Sequence, residues 1–213
     1  MKAAVFCRPN DLLEVFADDR SEDDMKEDEG AARPYIGPRE VVYRNPYQQV
    51  YKVRLELGTL AKDIYVTDYG DRVGLVVEGP EGILLTRQYR HLIDRVSWEI
   101  PGGKVEQDEG FEAAARRECL EETGILCHGL KPLLMFHPGL DTLYNPTHLF
   151  HTRAFEEKAA PELIHRDEVC GQEWVPLEKC IAMVSSQTIV DSLSVVALLS
   201  YNAFISRTDA CTK

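Results

Sequence analysis

The chain has 213 residues, of which 44% are hydrophobic and 28% charged. That composition supports a sizeable core and excludes wholesale disorder, collagen and coiled coil. The formal net charge of −12 argues against non-specific nucleic-acid binding, because an acidic surface repels phosphate backbones.

The opening apolar run ends at Cys7-Arg8-Pro9, too early for a secretory signal, and no run of about 18 apolar residues follows. No membrane partner and a cytoplasmic location are therefore expected. Asp18 to Glu29 holds eight acids against two bases and cannot bury a face. Residues 1–33 are expected to form a loosely ordered acidic segment ahead of one domain over 34–213. Val41 to Leu57 alternates in part and reads as a strand. Further strands are predicted over Lys62–Thr67, Val73–Glu78 and Ile83–Tyr89, the last two joined by the turn signal Gly79-Pro80-Glu81-Gly82. Ser97–Ile100 reads as a short strand stopped by Pro101-Gly102-Gly103. Phe111–Glu122 has helical propensity, with Gly124 as its stop. Strands are predicted over Pro132–Phe136, His148–Phe155 and Gln172–Val175. A long closing helix is predicted from the stripe Ile189, Leu193, Val196, Ala197 and Phe204. Strands outnumber helices, which suggests a mixed sheet flanked by helices. Six cysteines (Cys7, Cys119, Cys127, Cys170, Cys180, Cys211) show no Cys-x-x-Cys pair and read as reduced core fillers. His148 and His151 fall on opposite strand faces, which argues against a histidine metal pair.

The chemistry concentrates between Glu99 and Ile125. Glu118 and Glu122 are four apart and share a helix face, with Glu121 beside them. Phe111 and Ala115 lie at nearly the same helical angle, so these carboxylates sit beside the buried stripe. Like charges there repel, and partial burial raises the cost. A fold keeps such a cluster when a cation neutralises it, and hard oxygen donors suit Mg2+ or Mn2+. The preceding glycines let backbone carbonyls approach the same ion. Arg116 and Arg117 can orient carboxylates through charge-assisted hydrogen bonds. On this reading Glu122→Gln relieves repulsion in the metal-free protein by a few tenths to about 1 kcal/mol.

The spacing is specific. Gly103, five residues, Glu109, seven residues, then Arg117-Glu118-Cys119-Leu120-Glu121-Glu122-Thr123-Gly124-Ile125 matches the Nudix box at every specified position. The chain thus resembles the Nudix hydrolases. Arg87-Gln88-Tyr89-Arg90, Trp98 to Gly103, Trp174-Val175-Pro176-Leu177 and Asp191 to Leu199 are similar to the ADP-ribose pyrophosphatase branch. The resemblance implies an α/β/α sandwich with a mixed β-sheet and a homodimer. It implies Glu118, Glu121, Glu122 and the Gly102 carbonyl as metal ligands, with Glu109 and Arg117 orienting them. It implies Arg90 and Lys62 on the diphosphate and Glu99 at the adenosine or ribose end. A base from the loop before the last strand would be Glu168, six residues ahead of Trp174, or its neighbour Asp167. Pro138 lies thirteen residues past Ile125, closer than the branch pattern places it, and Asp141 stands in for the acid that follows. The implied activity is Mg2+-dependent hydrolysis of a nucleoside diphosphate-sugar, ADP-ribose to AMP and ribose 5-phosphate. GDP-mannose or NADH are alternative substrates. A non-catalytic nucleotide sensor would be expected to lack a box glutamate, and this chain keeps them all.

Overall fold

The computed structural model describes residues 34–157 and 169–211. The acidic segment 1–33 and the candidate bases Asp167 and Glu168 lie outside the described residues. The described residues divide into two units, one of 34–40 with 52–64, the other of 41–51 with 65–157 and 169–211.

In the first unit, β1 (Tyr35–Ile36) runs antiparallel to β3 (Gln49–Leu57), pairing Tyr35 with Glu56 and Ile36 with Leu55. The turn into β4 (Leu60–Asp68) uses Gly58 at φ 58°, a left-handed conformation that favours glycine. Ion pairs Arg54–Asp63 (3.2 Å) and Lys52–Glu40 (2.6 Å) dress this hairpin. Lys62 sits on β4 and is exposed. The single strand expected over Val41–Leu57 is two, β2 (Glu40–Arg44) and β3. Asn45 breaks it: its Oδ1 accepts the N–H groups of Tyr47 (2.8 Å) and Gln48 (2.9 Å), a side-chain turn that Pro46 reinforces.

The second unit is built on a mixed sheet in the order β10 (Lys131–Phe136), β12 (Thr147–Thr152), β5 (Arg72–Gly79), β6 (Gly82–Arg90), β14 (Val169–Val175). Only β12 and β5 run parallel among these pairs; β10–β12, β5–β6 and β6–β14 are antiparallel. Alternation along β5 directs its side chains to two cores. Val73, Leu75 and Val77 pack with Ala114, Ala115 and Cys119 of α1 (Phe111–Thr123). Val76 packs with Leu193, Ala197, Leu198 and Tyr201 of α3 (Ser192–Cys211), together with Cys180 of α2 (Leu177–Ser185). Helix, sheet and helices thus form the expected three-layer α/β/α arrangement. Gly74 lets α3 approach closely, since a Cβ there would meet Leu193 Cδ2 at 2.6 Å.

Several details differ from the sequence reading. Helix α2, for which the sequence analysis predicts nothing, starts directly after Pro176. Ile189 is buried but precedes α3. The strand predicted over His148–Phe155 splits at Arg153 into β12 and β13 (Ala154–Glu157), and β13 leaves to pair with β9 (Ile125–His128). His148 stacks on Phe111 of α1 (3.7 Å between centroids), whereas His151 meets Tyr201 of α3 (5.3 Å), so the two histidines do face opposite layers. Cys119, Cys127 and Cys180 are free thiols filling core space, as read; Cys170 is free but exposed.

One buried polar link ties α3 to the sheet. Tyr201 Oη donates to Glu78 Oε2 at 2.6 Å, and Glu78 also pairs with Arg153. Tyr201→Phe is expected to cost about 1–2 kcal/mol, since it leaves a carboxylate oxygen short of one donor. A urea titration with an unchanged midpoint would show that water replaces the phenol at no cost.

Candidate active site

The site is assembled around a strand that the sequence reading treated as a stop. After Pro101 the chain resumes pairing as β8 (Gly102–Lys104), antiparallel to β5, with Gly102 opposite Gly74 and Lys104 opposite Arg72. Each residue of β8 meets a functional group. The Gly102 N–H donates to Glu122 Oε2 (3.2 Å). Gly103 lies beneath Glu118, where a Cβ would be 2.3 Å from the carboxyl carbon. The Lys104 carbonyl accepts from Arg117 Nη2 (2.9 Å).

Helix α1 carries the carboxylates. Gly110 stands at its N-cap, and Gly124 closes it at φ 72°, donating its N–H to the Leu120 carbonyl. Arg117 is the hub. Its guanidinium holds Glu109 through two bonds of 2.9 Å, Glu118 at 2.8 Å and Glu121 at 3.1 Å. The Glu109 hydrogen bonds push Arg117 further up from its already high pKa, and Arg117 holds Glu109 below the usual carboxylate range. The orienting roles expected of Arg117 and Glu109 match this arrangement.

Glu118 and Glu122 lie beside the buried stripe, where water is scarce. Desolvation raises the Glu118 carboxyl, against the opposing pull of Arg117. Glu122 is pushed up to about 8, chiefly by burial and only partly relieved by Gly102 N–H and by Gln88 Nε2 (2.9 Å). Glu122 has no cationic partner among the described residues at ion-pair distance. A carboxyl buried in this way takes a proton or a cation.

A second layer grips from β6 and β7 (Arg95–Glu99). Arg90 forms a bidentate pair with Glu99 (Nε–Oε1 2.8 Å, Nη2–Oε2 2.5 Å). Glu99 is only 6% exposed, so it is not a solvated strand residue. Both line a cavity of about 380 Å³ that reaches Gly102 and Asp191. Asp191 is fixed as the cap of α3: its Oδ2 accepts Ser194 N and Oγ, both at 2.8 Å, and Ser194 Oγ accepts the Ile100 N–H at 3.0 Å.

The structure therefore brings together Arg90, Glu99, Gly102, Glu118, Glu122, Arg117, Glu109 and Glu121. Asp141 is exposed and caps its own turn through the Thr142 N–H (2.8 Å). Gln88 is the residue that sequence reasoning passed over. It stands inside the quoted Arg87-Gln88-Tyr89-Arg90 run, and its alternation with Arg90 was the available signal.

A divalent cation fits these donors in kind: buried carboxylates short of countercharge, and a glycine cradle that a Cβ would fill. They are not yet converged, since among the described residues no three acidic, His or Cys side chains surround one point. At Gly102 it is the N–H that meets Glu122.

A family model described as NUDIX domain matches residues 68–190. The chain is 28% identical over 149 residues to an ADP-ribose pyrophosphatase of Bacillus subtilis, covering 70% of this chain and 80% of that one. It is 27% identical over 151 residues to a CMP-5'-(N-acetyl-N-hydroxy-3-aminopropyl)phosphonate hydrolase of Streptomyces rubellomurinus, covering 71% and 72%. A crystal structure of an ADP compounds hydrolase superposes with a TM-score of 0.71 at 18% identity, over 84% of this chain and 97% of that one, a likeness of fold.

Proposed function

This chain belongs to the NUDIX-domain family and is a Nudix pyrophosphohydrolase, and on that premise we propose that it hydrolyses the diphosphate of a nucleoside diphosphate-sugar, with ADP-ribose first. The products would be AMP and ribose 5-phosphate. The observation that carries this reading is a cavity whose lining joins the bidentate-held Arg90 to Gly102, whose N–H in turn donates to the buried Glu122 carboxylate.

Glu118, Glu122, Glu121 and the Gly102 carbonyl would hold Mg2+, with Mn2+ as a substitute. Bound there, the ion would neutralise diphosphate charge and acidify a water. The chain's own residues supply the rest. Arg117 ties Glu118 and Glu121 together through one guanidinium nitrogen, which restricts both carboxylates. Gln88 and Gly102 fix the Glu122 carboxylate from two sides. Glu99 takes the Nε–Nη2 edge of Arg90 and fixes the plane of its guanidinium, which leaves the Nη1 side of the fork for phosphate oxygens. Glu168 is the proposed acceptor of the proton from the attacking water, with Asp167 as the alternative.

The test is a panel of ADP-ribose, GDP-mannose, NADH and a CMP-linked diphosphate incubated with Mg2+, scored for the nucleoside monophosphate released. Cleavage of ADP-ribose at the highest kcat/KM is expected. Release of no monophosphate from any member would end this reading. Arg90→Ala is expected to raise KM roughly tenfold or more, with Arg90→Lys recovering part, since a point charge lacks the fork. Equal KM values in all three proteins would remove Arg90 from the diphosphate.

A further inference from the structure

Arg72 is an arginine to which the sequence pattern assigned no role. It opens β5 and is held from both sides: its N–H donates to the Pro146 carbonyl at 2.8 Å, and its backbone pairs with Lys104 on one side and Thr147 on the other. Its Nε is buried without a hydrogen-bond partner, and among the described residues its guanidinium forms no ion pair. A donor enclosed in this way costs free energy unless an acceptor arrives.

Its position says which acceptor. Arg72 lines the cavity that holds Arg90, Glu99 and Gly102, and it also lines a second cavity of about 330 Å³ with Tyr69, Lys104, Leu143 and Asn145. The second cavity contains another orphan: Asn145 Oδ1 is buried and accepts no hydrogen bond. Two cavities therefore share one guanidinium whose Nε has no hydrogen-bond partner. Arg72 offers donors to an anion at the junction, and Asn145 offers an acceptor to a hydroxyl beyond it.

We propose that Arg72 is a second diphosphate-positioning arginine beside Arg90, and that the cavity lined by Lys104 and Asn145 receives a hydroxyl-bearing group on the far side of that diphosphate. This rests on the reading of the site as one for a diphosphate substituted at both ends. A guanidinium at the junction offers phosphate oxygens a second set of donors besides Arg90 and so restricts the register of the diphosphate.

The test separates this from the activity itself. Binding of methylenediphosphonate, which cannot be hydrolysed, is measured by calorimetry on the Mg2+-loaded protein. Arg72→Gln is expected to weaken it tenfold or more, and Arg72→Lys to recover part, with melting temperatures unchanged. Equal affinity in wild type and Arg72→Gln, or no binding by the wild type, overturns the assignment. Loss of binding in Arg72→Gln alongside a wild type that cleaves no nucleotide sugar would sink the proposed substrate while keeping the anion site. For the far group, Asn145→Ala is expected to shrink severalfold the preference for α,β-methylene-ADP-ribose over α,β-methylene-ADP. An unchanged ratio would remove the hydroxyl from this cavity.

Discussion

Glu122→Gln is expected to lower hydrolysis by roughly two or more powers of ten, because the side chain that would hold the cation loses its charge. The same substitution should change the stability of the metal-free protein with a sign that depends on pH. In the fold the Glu122 carboxyl titrates near 8, against an ordinary value of 4.5. Below pH 4.5 it is protonated in both folded and unfolded chains, and burial costs nothing in charge. Between 4.5 and 8 the unfolded chain releases its proton while the fold retains it, so stability falls as pH rises. Above 8 the loss is complete and on the order of a few kcal/mol. Glutamine is neutral throughout and escapes that loss. It keeps only one acceptor, so either Gln88 Nε2 or the Gly102 N–H goes unpaired, at about 1 kcal/mol. The variant should therefore be the less stable protein at pH 4 and the more stable one at pH 8.5. Parallel stability curves across that range, together with activity within a factor of two, would mean that Glu122 sits in water and holds nothing.

The sequence allowed the Glu122 cluster to be seen but underestimated its depth. Helical spacing alone puts Glu118 and Glu122 beside Ala115, and that angle survives folding. From spacing, the relief in Glu122→Gln looked like that of a surface like-charge pair. The burial that enlarges it comes from β8, Gln88 and Glu99, residues far apart in the chain. β8 itself was illegible because Pro101-Gly102-Gly103 carries a local stop signal, while its pairing with β5 is a long-range fact. The glycines there serve approach, not termination. Helix α2 was hidden for a related reason: Pro176 ends β14 and begins the helix in one residue, a position where proline is well tolerated. Arg72 could not be read at all. A single arginine at the start of a strand has no pattern, and its meaning arises only when two cavities meet at it.

The glycine at the head of the box gives the second large effect. A Cβ on Gly103 would lie 2.3 Å from the Glu118 carboxyl carbon and 2.4 and 2.5 Å from its oxygens. The obstacle is the far end of a flexible side chain, so the backbone need not move. Glu118 swings aside, and its 2.8 Å contact with Arg117 breaks. Gly103→Ala should therefore fold with a stability change within about 1 kcal/mol, the range of an ordinary substitution. Its hydrolysis should fall by roughly a hundredfold, since a small displacement of a positioned group is enough for that loss. The half-saturating Mg2+ concentration should rise with it. Gly102→Ala separates placement from folding. There the Cβ would meet the Val73 carbonyl oxygen at 2.4 Å and Gly74 Cα at 2.9 Å, both backbone atoms locked in the sheet. That clash has no side-chain escape, so β8 must part from β5 and stability itself should fall by several kcal/mol. Neighbouring glycines thus answer different questions: Gly102 whether β8 can pair, Gly103 whether Glu118 can stand over it. A Gly103→Ala protein with wild-type kcat and unaltered Mg2+ response would mean that the position of Glu118 does not govern the rate, and the metal would then have to be held by other carboxylates of the helix.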